Sequence, residues 1–194
     1  MTLPPLTRLL STALAVLLLA AAAQAEKADR GKPMEVLADR SGTADLQNQV
    51  SRFSGNVVIT QGTMVIKADR VEIRQSADGF RSGTAWGSAS APVSYRQKRD
   101  GVDEHVEGSA ERVEFDGRSE VLRFIGSAVV RRLRASTPVD EITGSLITWN
   151  HAAEQFSVQG DASSGGAPGG RVRAVLTPQP AASAPTQKPA RATP

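Results

Sequence analysis

Cysteine is absent from the 194 residues, which excludes disulfides, thiolate metal sites and cysteine nucleophiles. Histidine occurs only twice, at His105 and His151, and aromatic residues make up 4% of the chain. Stacking platforms for a single-stranded nucleic acid are therefore few. An excess of one charge is missing too. The 23 lysines and arginines stand against 20 acidic residues, for a net charge of +3, and both signs are interspersed. The one basic cluster is Arg131-Arg132-Leu133-Arg134. That footprint is too small for a nucleic-acid partner; it reads as a solvated strand end or as a contact for an anionic head group. Phosphate-binding glycine loops, G-x-S-x-G elbows and H-E-x-x-H motifs do not occur. No catalytic residue, metal ligand or cofactor is assigned, and the chain is not read as an enzyme.

One long hydrophobic run is present. Arg8 precedes the apolar stretch Leu9 to Ala23, and Ala23-Gln24-Ala25 supplies a small-x-small cleavage pattern. This reads as a secretory signal peptide over residues 1–25, because the run is short of the roughly 20 residues a membrane-spanning helix needs. An uncleaved anchor is the alternative. A secreted chain without cysteine fits a periplasmic protein beginning at Glu26.

After the signal no segment shows a sustained helical period. What is there is alternation, clearest from Arg52 to Gln75. Phe53, Gly55, Val57 and Ile59 share one parity, Ser54, Asn56, Val58 and Thr60 the other. A period of two with breaks at Gly62 and at Ala68-Asp69-Arg70 reads as three short consecutive antiparallel strands. The pattern recurs: Arg52-Phe53-Ser54-Gly55 returns as Arg123-Phe124-Ile125-Gly126, and Ala68-Asp69-Arg70-Val71-Glu72-Ile73 as Ala110-Glu111-Arg112-Val113-Glu114-Phe115. Gly55, Gly87, Gly126 and Gly160 mark the corners of successive units. Two residues before each lies a side chain expected inside: Phe53, Ala85, Phe124 and Val158. Such repeats suggest stacked β units burying a common interior, with glycine where a strand bends or another backbone approaches. Separate strands of about five residues are expected at 120–124, 128–132, 139–143 and 146–150. Residues 26–32 read as a flexible N-terminus, 33–177 as the β domain, Ser163–Gly170 as a glycine-rich loop within it, and 178–194 as a disordered tail rich in proline and alanine.

Chemistry is sparse. Asp103, His105 and Glu107 alternate along one strand and so share a face. They are either a solvated polar face, with Val102 and Val106 inward, or a metal or acid–base site. His151 reads as a turn histidine. The inward set is Met34, Val36, Phe53, Val57, Ile59, Met64, Ile66, Val71, Ile73, Tyr95, Val113, Phe115 and Phe124. Either these side chains fill a core, or the rolled sheet is incompletely filled and takes up acyl chains. Burying ten methylenes is worth about 8 kcal/mol gross.

The stretch Phe53 to Val71, with its Gly-Asn-Val-x-x-x-Gln-Gly-Thr core, resembles the LptA, or OstA-like, family of periplasmic lipopolysaccharide-transport proteins. Val106-Glu107-Gly108-Ser109-Ala110 and the closing Arg171–Leu176 strand are similar to that family too. The resemblance implies an all-β fold, an open, twisted β-jellyroll of about sixteen short antiparallel strands. It implies a lipid-binding groove for lipopolysaccharide and its lipid A, with Met34 and Val36 on the first strand near the lipid and Tyr95 and Phe115 as inward aromatics. Of the inward set, Met34, Val36, Phe53, Val57, Ile59, Met64, Ile66, Tyr95, Phe115 and Phe124 are the lipid-binding candidates. As partners it implies an LptC-like inner-membrane export complex, an LptD-like outer-membrane translocon and further copies of the chain, head to tail. The alternative is a structural β-repeat scaffold for envelope assembly without lipid cargo.

Overall fold

A computed structural model of the protein describes residues 29, 31–99, 102–153, 155–160 and 171–178. The signal segment, the glycine-rich loop and nearly all of the Pro/Ala tail lie outside the described residues. Among the described residues twelve antiparallel strands form one continuous sheet: β1 (Glu35–Leu37), β2 (Ser41–Asp45), β3 (Val50–Gln61), β4 (Met64–Gln75), β5 (Arg81–Trp86), β6 (Val93–Lys98), β7 (Glu104–Ala110), β8 (Arg112–Asp116), β9 (Val121–Arg134), β10 (Thr137–Asn150), β11 (Gln155–Gln159) and β12 (Arg173–Leu176).

Four of these strands are long enough to bend and serve two layers. In the first layer the order is β2, residues 50–54 of β3, 70–75 of β4, β5, β8, 121–125 of β9, 146–150 of β10, and β11. In the second it is β1, residues 57–61 of β3, 64–68 of β4, β6, β7, 129–134 of β9, 137–143 of β10, and β12. The twelve strands thus make sixteen segments, which is where the expected count of about sixteen resides. The architecture is an open, twisted β-jellyroll. Its two layers are joined along one side by the bends, while the hairpin turns of both layers point away from that side.

The bends have a local cause. On β3 the pairing jumps between Ser54 and Val57, and on β10 between Gly144 and Leu146. Gly55 (φ 86°) with Asn56 (φ 43°), and Gly126 (φ 80°) with Ser127 (φ 46°), hold the left-handed conformation. Such bulges add an unpaired residue and bend the strand while the ladder continues on either side. Acidic residues on the neighbouring turn secure them: Asn56 donates to Asp39 at 2.8 Å and Ser127 to Glu111 at 3.1 Å.

The bulges correct several expectations. The break expected at Ala68-Asp69-Arg70 is not a turn, since β4 runs unbroken from Met64 to Gln75. Its inward parity nevertheless changes there, because Ala68 and Val71 are both buried. The short strands expected at 120–124 and 128–132 fuse into β9, and those at 139–143 and 146–150 into β10. In each case a bulge breaks the alternation without ending the hydrogen-bond ladder.

Candidate functional site

Burial divides the expected lipid-binding set. Val57, Ile59, Ile66, Tyr95 and Phe124 are buried core. Met34, Val36, Phe53, Met64 and Phe115 are half-buried and pack against that core. The expected inward corner residues Ala85 and Val158 also face inside, the first buried and the second half-buried.

The interior is not one uniform groove. At the N-terminal end the layers stand apart around an open cleft of about 710 Å³, bordered by Met34 and Val36 from one layer and Val50 and Phe53 from the other. That volume lies in the range of small-molecule sites, roughly 300–1,000 Å³. Farther in, the space narrows to about 40 Å³ between Met34, Ile59, Met64 and Ile66 on one side and Val71, Ile73 and Phe115 on the other. Midway it closes: the Tyr95 ring from β6 meets Phe124 from β9 edge-on, with centroids 5.8 Å apart. Gly108 on β7 makes the room, since a Cβ there would stand 2.2 Å from the Phe124 ring. Beyond this partition a second cleft of about 300 Å³ opens at the C-terminal end. Its floor is Val106, Val130, Ile142, Trp149 and Phe156, and Arg99 and Arg132 stand at its border.

Polar groups sit at two places that alternation did not single out. Within 26–32, read from sequence as flexible, Asp29 is buried and held. It accepts from the Thr63 backbone N–H at 2.8 Å, from the Thr63 hydroxyl and from Lys32 at 2.9 Å. Gln97, which accepts a hydrogen bond from the Tyr95 hydroxyl at 2.5 Å, donates to Asp29 at 3.5 Å. Burial pushes the Asp29 carboxyl up, but the hydrogen bonds from Thr63, Lys32 and Gln97 outweigh it and leave its pKa below the ordinary value.

The second place surrounds Glu104, which is buried. Arg99 reaches its carboxylate at 2.7 Å, Arg134 at 3.0 Å and Arg132 at 3.4 Å. Burial raises the Glu104 pKa; the hydrogen bonds from Arg134 and Arg99 and the charges of Arg132 and Arg99 more than reverse this, so it is lowered. The basic cluster read as a solvated strand end or an anion contact is therefore part of an ion network. Arg131 pairs with Glu141 at 2.7 Å, and Arg132 also pairs with Asp140. The signal for it was Glu104 itself, whose parity with Val106 places it inward.

The candidate trio behaves differently. Asp103 is exposed just before β7 and pairs with Lys98 at 3.7 Å, and Glu107 pairs with Arg96. His105 is half-buried, its pKa lowered first by burial and then by the charges of Arg96 and Lys98. Among the described residues no group of three or more His, Asp or Glu is arranged to hold a metal ion. His151 follows β10 in a turn, with its ring 5.4 Å from that of Trp149.

Known proteins are similar to this chain in sequence and in fold. A family model described as LptA/(LptD N-terminal domain) LPS transport protein matches residues 35–155. The lipopolysaccharide export system protein LptA of Haemophilus influenzae is 31% identical over 163 residues, which cover 84% of this chain and 87% of that protein. LptA of Escherichia coli K12 is 29% identical over 136 residues, 69% of this chain and 72% of that protein. The crystal structure of LptH, the LptA-homologous periplasmic component of the lipopolysaccharide transport device of Pseudomonas aeruginosa, superposes with a TM-score of 0.65 at 22% identity. It covers 77% of this chain and 99% of that one. At that identity the likeness is one of fold.

Proposed function

The chain belongs to the LptA/LptD N-terminal-domain family of lipopolysaccharide-transport proteins, and from this premise we propose that it binds lipopolysaccharide in the periplasm and carries it toward the outer membrane. The observation that carries the reading is the N-terminal cleft: two layers joined on one side only, with the half-buried apolar side chains of Met34, Val36 and Phe53 at an opening large enough for a ligand. Lipid A acyl chains enter there and continue along Met64, Ile66 and Phe115 as the layers part. Ile59, Val57, Tyr95 and Phe124 line the deeper path, which the present packing closes. Transport rather than catalysis accords with the family.

Delivery requires neighbours. The N-terminal end offers the edges of β1 and β2, the C-terminal end those of β11 and β12. Pairing one end with the other extends both layers at once, so the partners are an LptC-like inner-membrane export complex, an LptD-like outer-membrane translocon and further copies of this chain. Export is directed by residues 1–25, removed after Ala25.

Site-specific photo-crosslinking tests the lipid site. Probes at Met34, Val36 and Phe115 are expected to capture lipopolysaccharide, whereas probes at Glu35 and Glu114, on the opposite faces of the same strands, are not. Equal capture at both sets would reject the groove and leave the scaffold without lipid cargo.

A further inference from the structure

The C-terminal cleft combines an apolar floor with a border of hydrogen-bond donors. Trp149 is buried, stacks on Phe156 with centroids 4.0 Å apart, and lines the cleft. Among the described residues its buried indole Nε1–H has no hydrogen-bond partner, and neither has the buried Nε–H of Arg132, which lines the same cleft. Native interiors rarely leave such donors unmet, and an unmet one implies a missing acceptor. The charge balance has the same sense. Five guanidinium groups, Arg99, Arg131, Arg132, Arg134 and Arg173, share three carboxylates, Glu104, Asp140 and Glu141. The carboxylates hold the arginines in place, and among the described residues of this cluster the guanidiniums outnumber them.

We infer that this cleft is a second ligand subsite, which takes the phosphate oxygens of an amphipathic phosphorylated lipid at Arg99, Arg132 and the Trp149 indole while an acyl segment lies on Val106, Ile142 and Phe156. Arginine suits this role because its planar donors match phosphate oxygens and its charge is permanent. Guanidiniums already fixed by Glu104 lose little freedom on binding, which favours the ligand further. The inference rests on the lipopolysaccharide reading, and it separates the two ends of the interior. The N-terminal cleft offers Met34, Val36 and Phe53 to hydrocarbon; the C-terminal cleft adds recognition of the phosphorylated head.

Tryptophan fluorescence provides the test. The chain has two tryptophans, so Trp86→Phe leaves Trp149 as the sole emitter in the full mature protein. Purified lipopolysaccharide, the same material enzymatically dephosphorylated, and inorganic phosphate are titrated separately. Phosphorylated lipopolysaccharide is expected to shift the Trp149 emission and to bind at least ten-fold more tightly than the dephosphorylated form. Arg99→Gln, and Trp149→Phe followed by lipid retention on the membrane of a filter assay, should erase that difference without weakening binding of the dephosphorylated form. Trp149→Phe keeps an aromatic ring against Phe156, and circular dichroism verifies the fold of each variant. Equal affinity for both lipid forms, or variants that weaken both equally, would overturn the subsite while leaving the lipid-carrier reading intact. Binding of neither lipid form would instead remove the carrier reading and the subsite with it. Saturation of the emission change by inorganic phosphate, with no preference between the lipids, would assign the cleft to a soluble anion and reject the head-group inference.

Discussion

The Tyr95 ring stands edge-on to Phe124 across the two layers, at 5.8 Å and an interplanar angle of 73°. One ring belongs to β6 and the other to β9, so the contact ties the layers together at the middle of the interior. Aromatic pairs in this geometry contribute about 0.5–1.5 kcal/mol beyond the area they bury. The contact also separates the N-terminal cleft from the C-terminal one, so passage of any ligand between them would require these rings to part.

Gly108→Ala tests how tightly the partition is built. The added methyl group would stand 2.2 Å and 2.6 Å from ring carbons of Phe124, and Tyr95, the cross-strand neighbour of Gly108, packs edge-on against the same ring. Overpacking of this kind costs about 1–3 kcal/mol. Urea unfolding should show a lowered midpoint with an unchanged slope. An unchanged midpoint would mean that the rings move aside at no cost, and the partition would then be soft.

Gly55→Ala and Gly79→Ala separate the conformational from the steric part of a bend. Both glycines have φ of 86°. A Cβ at Gly79 meets nothing within 4 Å, whereas one at Gly55 meets the Arg40 side chain at 2.7 Å. Backbone strain alone predicts a loss of about 1–2 kcal/mol at Gly79, and the Gly55 variant should lose more because Arg40 must also shift. Thermal unfolding of the two variants side by side checks the order; a reversed order would remove the bulge from its structural role.

Much of this was legible in the sequence, and the bulges mark where legibility ended. Alternation located the strands and the inward positions of Phe53, Phe124 and Val158, because a strand exposes one face to the core at every second residue. It did not locate the fusion of neighbouring runs into β9 and β10. A bulge at Gly126-Ser127 looks the same as a turn in a one-dimensional pattern. The division of the lipid-binding candidates was hidden as well. Whether Val57 fills the core and Phe53 borders a cleft depends on how far apart the layers stand, which parity does not encode. Glu104 was hidden for another reason: its charge suggested solvent, and its compensating Arg132 and Arg134 lie 28 and 30 residues away.

Acid should loosen the C-terminal end through Glu104. Its pKa is lowered in the folded protein from the ordinary value of 4.5, so the unfolded chain binds a proton more readily than the folded one. The carboxylate therefore contributes its full stabilisation above pH 4.5, and this is lost as pH falls through the lowered folded value. Glu104→Gln should cost about 3 kcal/mol near pH 7, since three guanidiniums lose a buried partner. The gap to wild type should close as pH falls below 4.5. Denaturant titrations at several pH values measure it, and a gap that stays constant down to pH 3 would exclude Glu104 as the titrating group.

The two ends of the sheet favour head-to-tail assembly. A bare edge strand presents unpaired N–H and C=O groups, and natural monomers shield such edges with charge, proline or covering loops. Here β1 carries one charge, Glu35, and β12 one, Arg173. Apolar side chains are exposed on both edge strands: Leu37 is 59% accessible and Leu176 is 71% accessible. In the second layer, pairing β12 of one copy with β1 of the next would continue the ladder and cover both leucines. In the first layer, β11 would meet β2 in the same register of ends. Both layers then run on across the joint, and the interior of one copy opens into the interior of the next. Because the two surfaces differ, the contact does not close on itself and can extend. Proline removes a backbone donor and fixes φ, and only alternate N–H groups face outward from an edge. Val36→Pro and Leu37→Pro therefore cover both parities of β1, and Ala174→Pro and Val175→Pro those of β12. At each end, one folded variant of the pair should stay monomeric across a concentration series in light scattering while wild type grows. Mixing a variant blocked at β1 with one blocked at β12 should restore dimers and nothing larger, because each mixture retains one intact donor end and one intact acceptor end. Wild type that remains monomeric at every concentration, or blocked variants that still form long assemblies, would rule out edge pairing.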